Sequence, residues 1–238
     1  MGIYDQNYQL QDTRAVGTFS TRVYAWMSIG LGFTAMIAYL TFRSGLYLSL
    51  MPFWMVLSLG TFGVAMAIQA GLRRFSVGTM VTLFLSYSGL QGLFFGTLLP
   101  VFAANLGGGV IWSAFFSAGA IFALAMGYGL FTKNDLTSFG RILTFGLIGL
   151  IGISLVFMIL SFFLPMQWAY LFISYLGLAL FVGLTAYDAQ TIRSMSLQVD
   201  VSSAASYKLS LVMALKMYLN VIMIFWYLLQ IFSSSSRR

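Results

Sequence analysis

Seven apolar runs, each of about 20 residues or more, take up most of this 238-residue chain: 21–42, 53–72, 77–101, 110–131, 141–164, 167–190 and 209–232. A helix of that length covers the roughly 30 Å hydrocarbon core of a bilayer. No water is present there to take up stray N–H and C=O groups, so each run must satisfy its own backbone, and an α-helix does so. The expected fold is all-α, an integral membrane protein with seven transmembrane helices. The connections 43–52, 73–76, 102–109, 132–140, 165–166 and 191–208 are too short to hold an extramembrane catalytic domain. The layout is a segment 1–20, one seven-helix domain over 21–232 and a basic tail 233–238.

Composition narrows the partners. Charged residues are 7% of the chain against 60% hydrophobic, which leaves little polar material for a second domain. The net charge of +7 comes from Lys and Arg that mostly sit between apolar runs, where anionic headgroups lie. It points to the lipid bilayer and not to nucleic acid. The chain has no Cys, His or Glu, which removes the disulfide, the thiolate and the imidazole base. No paired aspartates lie inside the spans, so neither an enzyme nor a resident cofactor is expected. Any response to pH must come from carboxylates.

Short cytoplasmic loops carry the excess of Lys and Arg. Arg14 and Arg22 precede or open the first run, Arg73 and Arg74 lie in the second connection, Lys133 and Arg141 flank the fourth, and Arg193 and Lys208 lie in the sixth. The first connection has only Arg43, and the third and fifth have none. This alternation places the N-terminus in the cytoplasm, and the brevity of the loops suits a bacterial cytoplasmic membrane. Seven crossings would then leave the C-terminus outside, whereas Arg237 and Arg238 prefer the cytoplasm. A seventh segment that enters and returns on one side resolves the conflict, although its length of about 24 residues favours a full span.

Small residues mark expected contacts, because membrane helices gain most from close backbone approach. Gly63, Ala67 and Gly71 recur every four residues, as do Ser88, Gly92 and Gly96. Gly30, Gly32, Gly146, Gly149 and Gly152 are read the same way. Trp26, Trp54, Trp112, Trp168 and Trp226 lie mostly near run ends, as an interfacial belt requires.

Asp188 is the only acid inside a long apolar run, and a carboxylate at membrane depth is expensive enough to mark a functional site. It lies about a turn from the expected cytoplasmic end of the sixth span. Lys216 lies about two turns into the seventh from the same side, and Asn220 follows one helical turn later on the same face. Bland readings stand beside these. Asp188 satisfies Arg193 or a helix end, Lys216 snorkels to the headgroups, Asn220 makes a helix–helix hydrogen bond, and Arg73 and Arg74 only set topology.

The run Phe-Val-Gly-Leu-Thr-Ala-Tyr-Asp-Ala-Gln at 181–190 resembles the signature of the transmembrane Bax inhibitor motif proteins, the Bax inhibitor-1-like family, in its bacterial form. Arg-Val-Tyr-Ala-Trp-Met at 22–27, Tyr-Ser-Gly-Leu-Gln-Gly at 87–92, Lys-Asn-Asp-Leu-Thr-Ser-Phe-Gly at 133–140 and Ala-Leu-Lys-Met-Tyr-Leu-Asn at 214–220 agree, in order, over nearly the whole chain. The resemblance implies a last helix that is central and wrapped by the other six, and a pH-sensitive calcium leak. It further implies two aspartates sharing a proton, one on span six and one on span seven, since neighbouring carboxylates raise one another's pKa. Asp188 matches the first. The second falls on Asn220, which hydrogen-bonds but neither titrates nor carries charge. The family's locking arginine falls on Arg73 or Arg74.

Calcium wants several oxygen ligands, many of them charged. Asp188 is the one carboxylate on offer, and an inward Lys216 would cancel it. Pairing of Asp188 with Lys216, Arg73 or Arg74 is therefore expected to weaken both acid gating and calcium binding. Two classes remain: a leak pathway for calcium or protons, and a non-conducting regulator of a membrane-protein partner such as a protease or a cell-death factor. A retinal protein, suggested by seven helices with a Lys in the last, fails because span three has no acid to serve as counter-ion.

Overall fold

The computed structural model describes residues 3–160, 167–200 and 202–235. They form eight α-helices: α1 (Ile3–Arg43), α2 (Leu46–Leu50), α3 (Trp54–Gly71), α4 (Val77–Leu106), α5 (Gly108–Phe131), α6 (Thr137–Leu160), α7 (Gln167–Ser196) and α8 (Ala204–Ser235). A single 3-10 turn, Met51–Phe53, joins α2 to α3, so that Leu46–Gly71 makes one span. Seven helices are long and apolar enough to cross a membrane, in the order the hydropathy requires, and no strand occurs among the described residues. Gly45 (φ 73°) and Gly107 (φ 82°) make the turns after α1 and α4 in the left-handed region, which a side chain disfavours.

The helices outrun the apolar runs. α1 is already helical from Ile3, so the described part of the expected N-terminal segment 1–20 continues into the first span without a break. α7 extends six residues past the expected end at Gln190, and α8 starts at Ala204 instead of Leu209. Local chemistry explains the extension. Ser194 and Ser196 donate to the carbonyls of Thr191 and Arg193 within the last turn. Ser203 caps α8 by accepting from the N–H of Ser206. Asp200 accepts from the Ser202 hydroxyl and, to a smaller effect, from its backbone N–H, and these bonds hold its carboxyl below the usual 3.8. The expected connection 165–166 and Arg237 and Arg238 of the tail lie outside the described residues. α8 is one unbroken helix of 32 residues, about 48 Å long at 1.5 Å per residue, and this overturns the returning seventh segment.

The chain divides into two compact units: Met1–Val101 with Thr191–Tyr218, and Phe102–Gln190 with Leu219–Arg238. In the first, α1 and α4 lie almost backbone to backbone. A Cβ on Gly92 would meet Ile37 Cβ at 2.7 Å and the Thr34 carbonyl oxygen at 2.8 Å, and one on Gly96 would meet Thr41 Cβ at 2.7 Å. The N-terminal half of α8 completes this unit. Tyr218, fully buried, hydrogen-bonds Thr34 at 2.6 Å. Thr34 gives its only hydroxyl hydrogen to the Ser88 carbonyl, so Tyr218 is the donor. Trp26 Nε1 donates to the Tyr207 hydroxyl, and Lys208 Nζ to the Phe75 carbonyl.

The small-residue reading holds for the stripe through Gly92 and Gly96 and at Gly30 and Gly146, and fails at Gly63 of the other stripe, of which only Gly71 is buried. A Cβ on Gly63 would meet nothing within 4 Å, and the same is true of Gly32, Gly149 and Gly152. The buried face of α3 instead runs through Thr61, Ala65, Ile68 and Gly71, which places Gly63 on the opposite, exposed side. Trp54, Trp112 and Trp168 are exposed, as a belt requires, whereas Trp226 packs edge-on against Phe102. The last helix is the most enclosed: 61% of its most apolar window is buried, against 17–28% in the first five spans.

Candidate functional site: an acid–amide pair inside the second unit

In the second unit α7 runs antiparallel to the C-terminal half of α8. Three ties fix the register: Asn220 to Asp188, Tyr227 to Phe181 and Gly177, and Gln230 to Ser174. Positions 220, 227 and 230 climb α8 as 188, 181–177 and 174 descend α7. Asn220 Nδ2 donates to Asp188 Oδ2 at 2.8 Å, with Asp188 only 6% and Asn220 only 3% exposed. The sequence comparison of spans six and seven named both residues, and the structure joins them directly.

The residues around Asp188 meet α5, α6 and the connection between them. A Cβ on Gly129 of α5 would run into the Ala186 carbonyl, and one on Gly140 of α6 into the Tyr187 ring. Leu143 of α6 fills the space beside Gly183. Gln190 reaches the α5–α6 connection, where its Oε1 accepts from the Leu136 N–H at 2.8 Å and its Nε2 donates to the Asn134 carbonyl at 2.7 Å. Hydropathy could not reveal this role of Gln190. The available signal was its polarity at the end of an otherwise apolar run, two residues past Asp188.

The connection is further shaped by Asp135, whose carboxyl is held below the ordinary 3.8 by the Thr137 side chain and by the Thr137 N–H, which donates to Oδ1 at 2.9 Å. That contribution is present above the ordinary value and is lost as pH falls through the lowered one. Gln190→Ala removes both of Gln190's backbone ties, each worth about 1 kcal/mol. The Leu136 amide is then expected to exchange its hydrogen faster in detergent-solubilised protein. Unchanged protection at Leu136 would show that the clamp contributes nothing.

Lys216, Arg73 and Arg74 belong to the first unit. Lys216 is half-buried on the N-terminal half of α8, one turn before Asn220. Arg73 and Arg74 are exposed in the turn between α3 and α4.

Seven membrane-length helices with a polar pair buried between two of them define a polytopic integral membrane protein. Residues 16–237 match the family described as "Inhibitor of apoptosis-promoting Bax1", and the chain belongs to this Bax inhibitor-1 family. It is 54% identical to an uncharacterized protein of Chlamydia muridarum over the full length of both chains. It is 33% identical to the inner membrane protein YbhL of Escherichia coli K12, covering 94% of this chain and 95% of YbhL. An uncharacterized protein of Borreliella burgdorferi is 35% identical over 95% of this chain and 96% of its own.

Proposed function

We propose that the protein is a calcium or proton leak pathway of a bacterial cytoplasmic membrane, with its N-terminus in the cytoplasm, in which Asp188 is the titrating group and Asn220 its fixed partner. It is a conduit and not an enzyme. The observation that carries this reading is a carboxylate buried at membrane depth and hydrogen-bonded to the neighbouring span, an arrangement expensive enough to mark an ion or proton route. The inner-membrane naming of YbhL and the alternation of Lys and Arg support the location and orientation.

Calcium arriving here as cargo meets one carboxylate and one amide, a poor set for a hard cation. Lys216 or one of Arg73 and Arg74 is proposed to offset the Asp188 charge further. Weak calcium transport with a shallow pH response is the consequence. The test is calcium flux into dye-loaded proteoliposomes at about pH 6 and about pH 8, with Asp188→Asn and Lys216→Ala beside the wild type. A leak that Asp188→Asn reduces and Lys216→Ala increases supports the reading. A strongly pH-dependent wild-type leak untouched by Lys216→Ala removes the offsetting charge from it.

The replacement of the second carboxylate by Asn220 favours one alternative: a non-conducting regulator of another membrane protein, with the acid–amide pair as a structural tie. Silence of every variant in the flux assay selects it.

A further inference from the structure

The α7–α8 seam has polar ties at two levels. Asp188–Asn220 lies at one, Ser174–Gln230 at the other, separated by 14 residues on α7 and ten on α8, about 21 and 15 Å of helix. Between them the seam is apolar and buried, through Phe181 and Leu184 on α7 and Ile224, Tyr227 and Leu228 on α8. Thr185 is fully buried there, and its hydroxyl hydrogen goes to the Phe181 carbonyl of its own helix.

Tyr227 occupies the middle of this stretch. Its ring lies 6.0 Å from that of Phe181, and it fills the space that a side chain at position 177 would take. Only a glycine at 177 admits the ring. We infer that Tyr227, seated in the notch of Gly177, is the plug that closes the seam between the acid–amide pair and the Gln230 end of α8. Physiologically this rests on the leak reading, for which it supplies the closed gate; as a barrier to water it is independent of that reading. A buried aromatic in an apolar constriction blocks ions by excluding their hydration water, so the bulk of the ring and not its hydroxyl does the sealing.

The atoms that a methyl at position 177 would strike belong to the outer ring of a side chain and not to backbone. Gly177→Ala therefore displaces Tyr227 without prising the helices apart, which gives a second route to the same opening.

The chain has no cysteine, so a single reporter is clean. Leu184→Cys places a thiol within the apolar stretch, and a membrane-impermeant cationic methanethiosulfonate reagent tests its access to water in proteoliposomes. Labelling is expected to be slow in that background and severalfold faster with Tyr227→Ala or Gly177→Ala. With Tyr227→Phe it stays slow. Labelling unchanged by Tyr227→Ala and Gly177→Ala in protein that still elutes as a folded species overturns the plug. So does equal acceleration by Tyr227→Phe. Calcium flux on the same vesicles separates the two readings. Faster labelling with no flux in any variant leaves the plug standing and removes the leak, whereas an Asp188-dependent flux with unchanged labelling does the reverse.

Discussion

Asn220→Asp is expected to turn a shallow pH response of the leak into a steep one. Two carboxylates would then face each other where an amide now donates to Asp188 at 2.8 Å. Like charges about 4 Å apart repel by roughly 4 kcal/mol at an effective dielectric of 20, enough to keep the two from ionising together. One proton is then retained between the pair into the neutral range and lost above it, and its loss sets two negative charges against each other across α7 and α8. The wild-type pair has no such step. An ionised Asp188 accepts from the amide N–H, and a protonated one donates to the amide oxygen once the amide has turned over, so the tie survives either way. Calcium flux in reconstituted vesicles between about pH 6 and about pH 8 is expected to differ severalfold for Asn220→Asp and much less for the wild type. Identical profiles would sink the idea that Asn220 is what blunts the sensor.

The second large effect is on stability. At Gly129 a methyl group meets the carbonyl and Cα of Ala186, which are backbone atoms of α7 that no rotamer change can move. α5 and α7 must separate, and they do so within two residues of Asp188. Overpacking of this kind costs about 1–3 kcal/mol and sometimes more, and backbone-to-backbone contact belongs at the upper end. A midpoint lower by roughly 6–12 °C is the expected result for Gly129→Ala in a thermal scan in detergent, taking 2–4 °C per kcal/mol for a chain of this size. Gly149→Ala is the control, because a Cβ there meets nothing and the residue is exposed. A drop of similar size in both would show that glycine content and not the α5–α7 contact is responsible.

The span count was legible because hydrocarbon thickness imposes a length on every crossing, and Asp188 because charge at depth is rare; Asn220 was legible only through the family resemblance, and the expected cationic partner gave way to its amide. Helix ends were less so. α7 continues through Ser194 and Ser196, and α8 begins at a serine cap, on local hydrogen bonds that hydropathy does not see. The stripe at Gly63, Ala67 and Gly71 shows a different gap. Spacing puts small residues on one face, but only the neighbours decide whether that face meets a helix or lipid. Ser88, Gly92 and Gly96 have the same spacing, and there α1 is present to use it. The roles of Gln190 and Tyr227 depend on which connection and which glycine lie opposite, facts that hold only between segments.

Both compact units draw part of their interior from α8, which the ribosome delivers after the other spans. Until it arrives, the Ser88 carbonyl lacks the Thr34–Tyr218 chain in its final form, and Asp188 sits in the bilayer without its amide. Assembly becomes a single late event, in which one segment fills two half-built interiors at once and brings the acid its permanent partner.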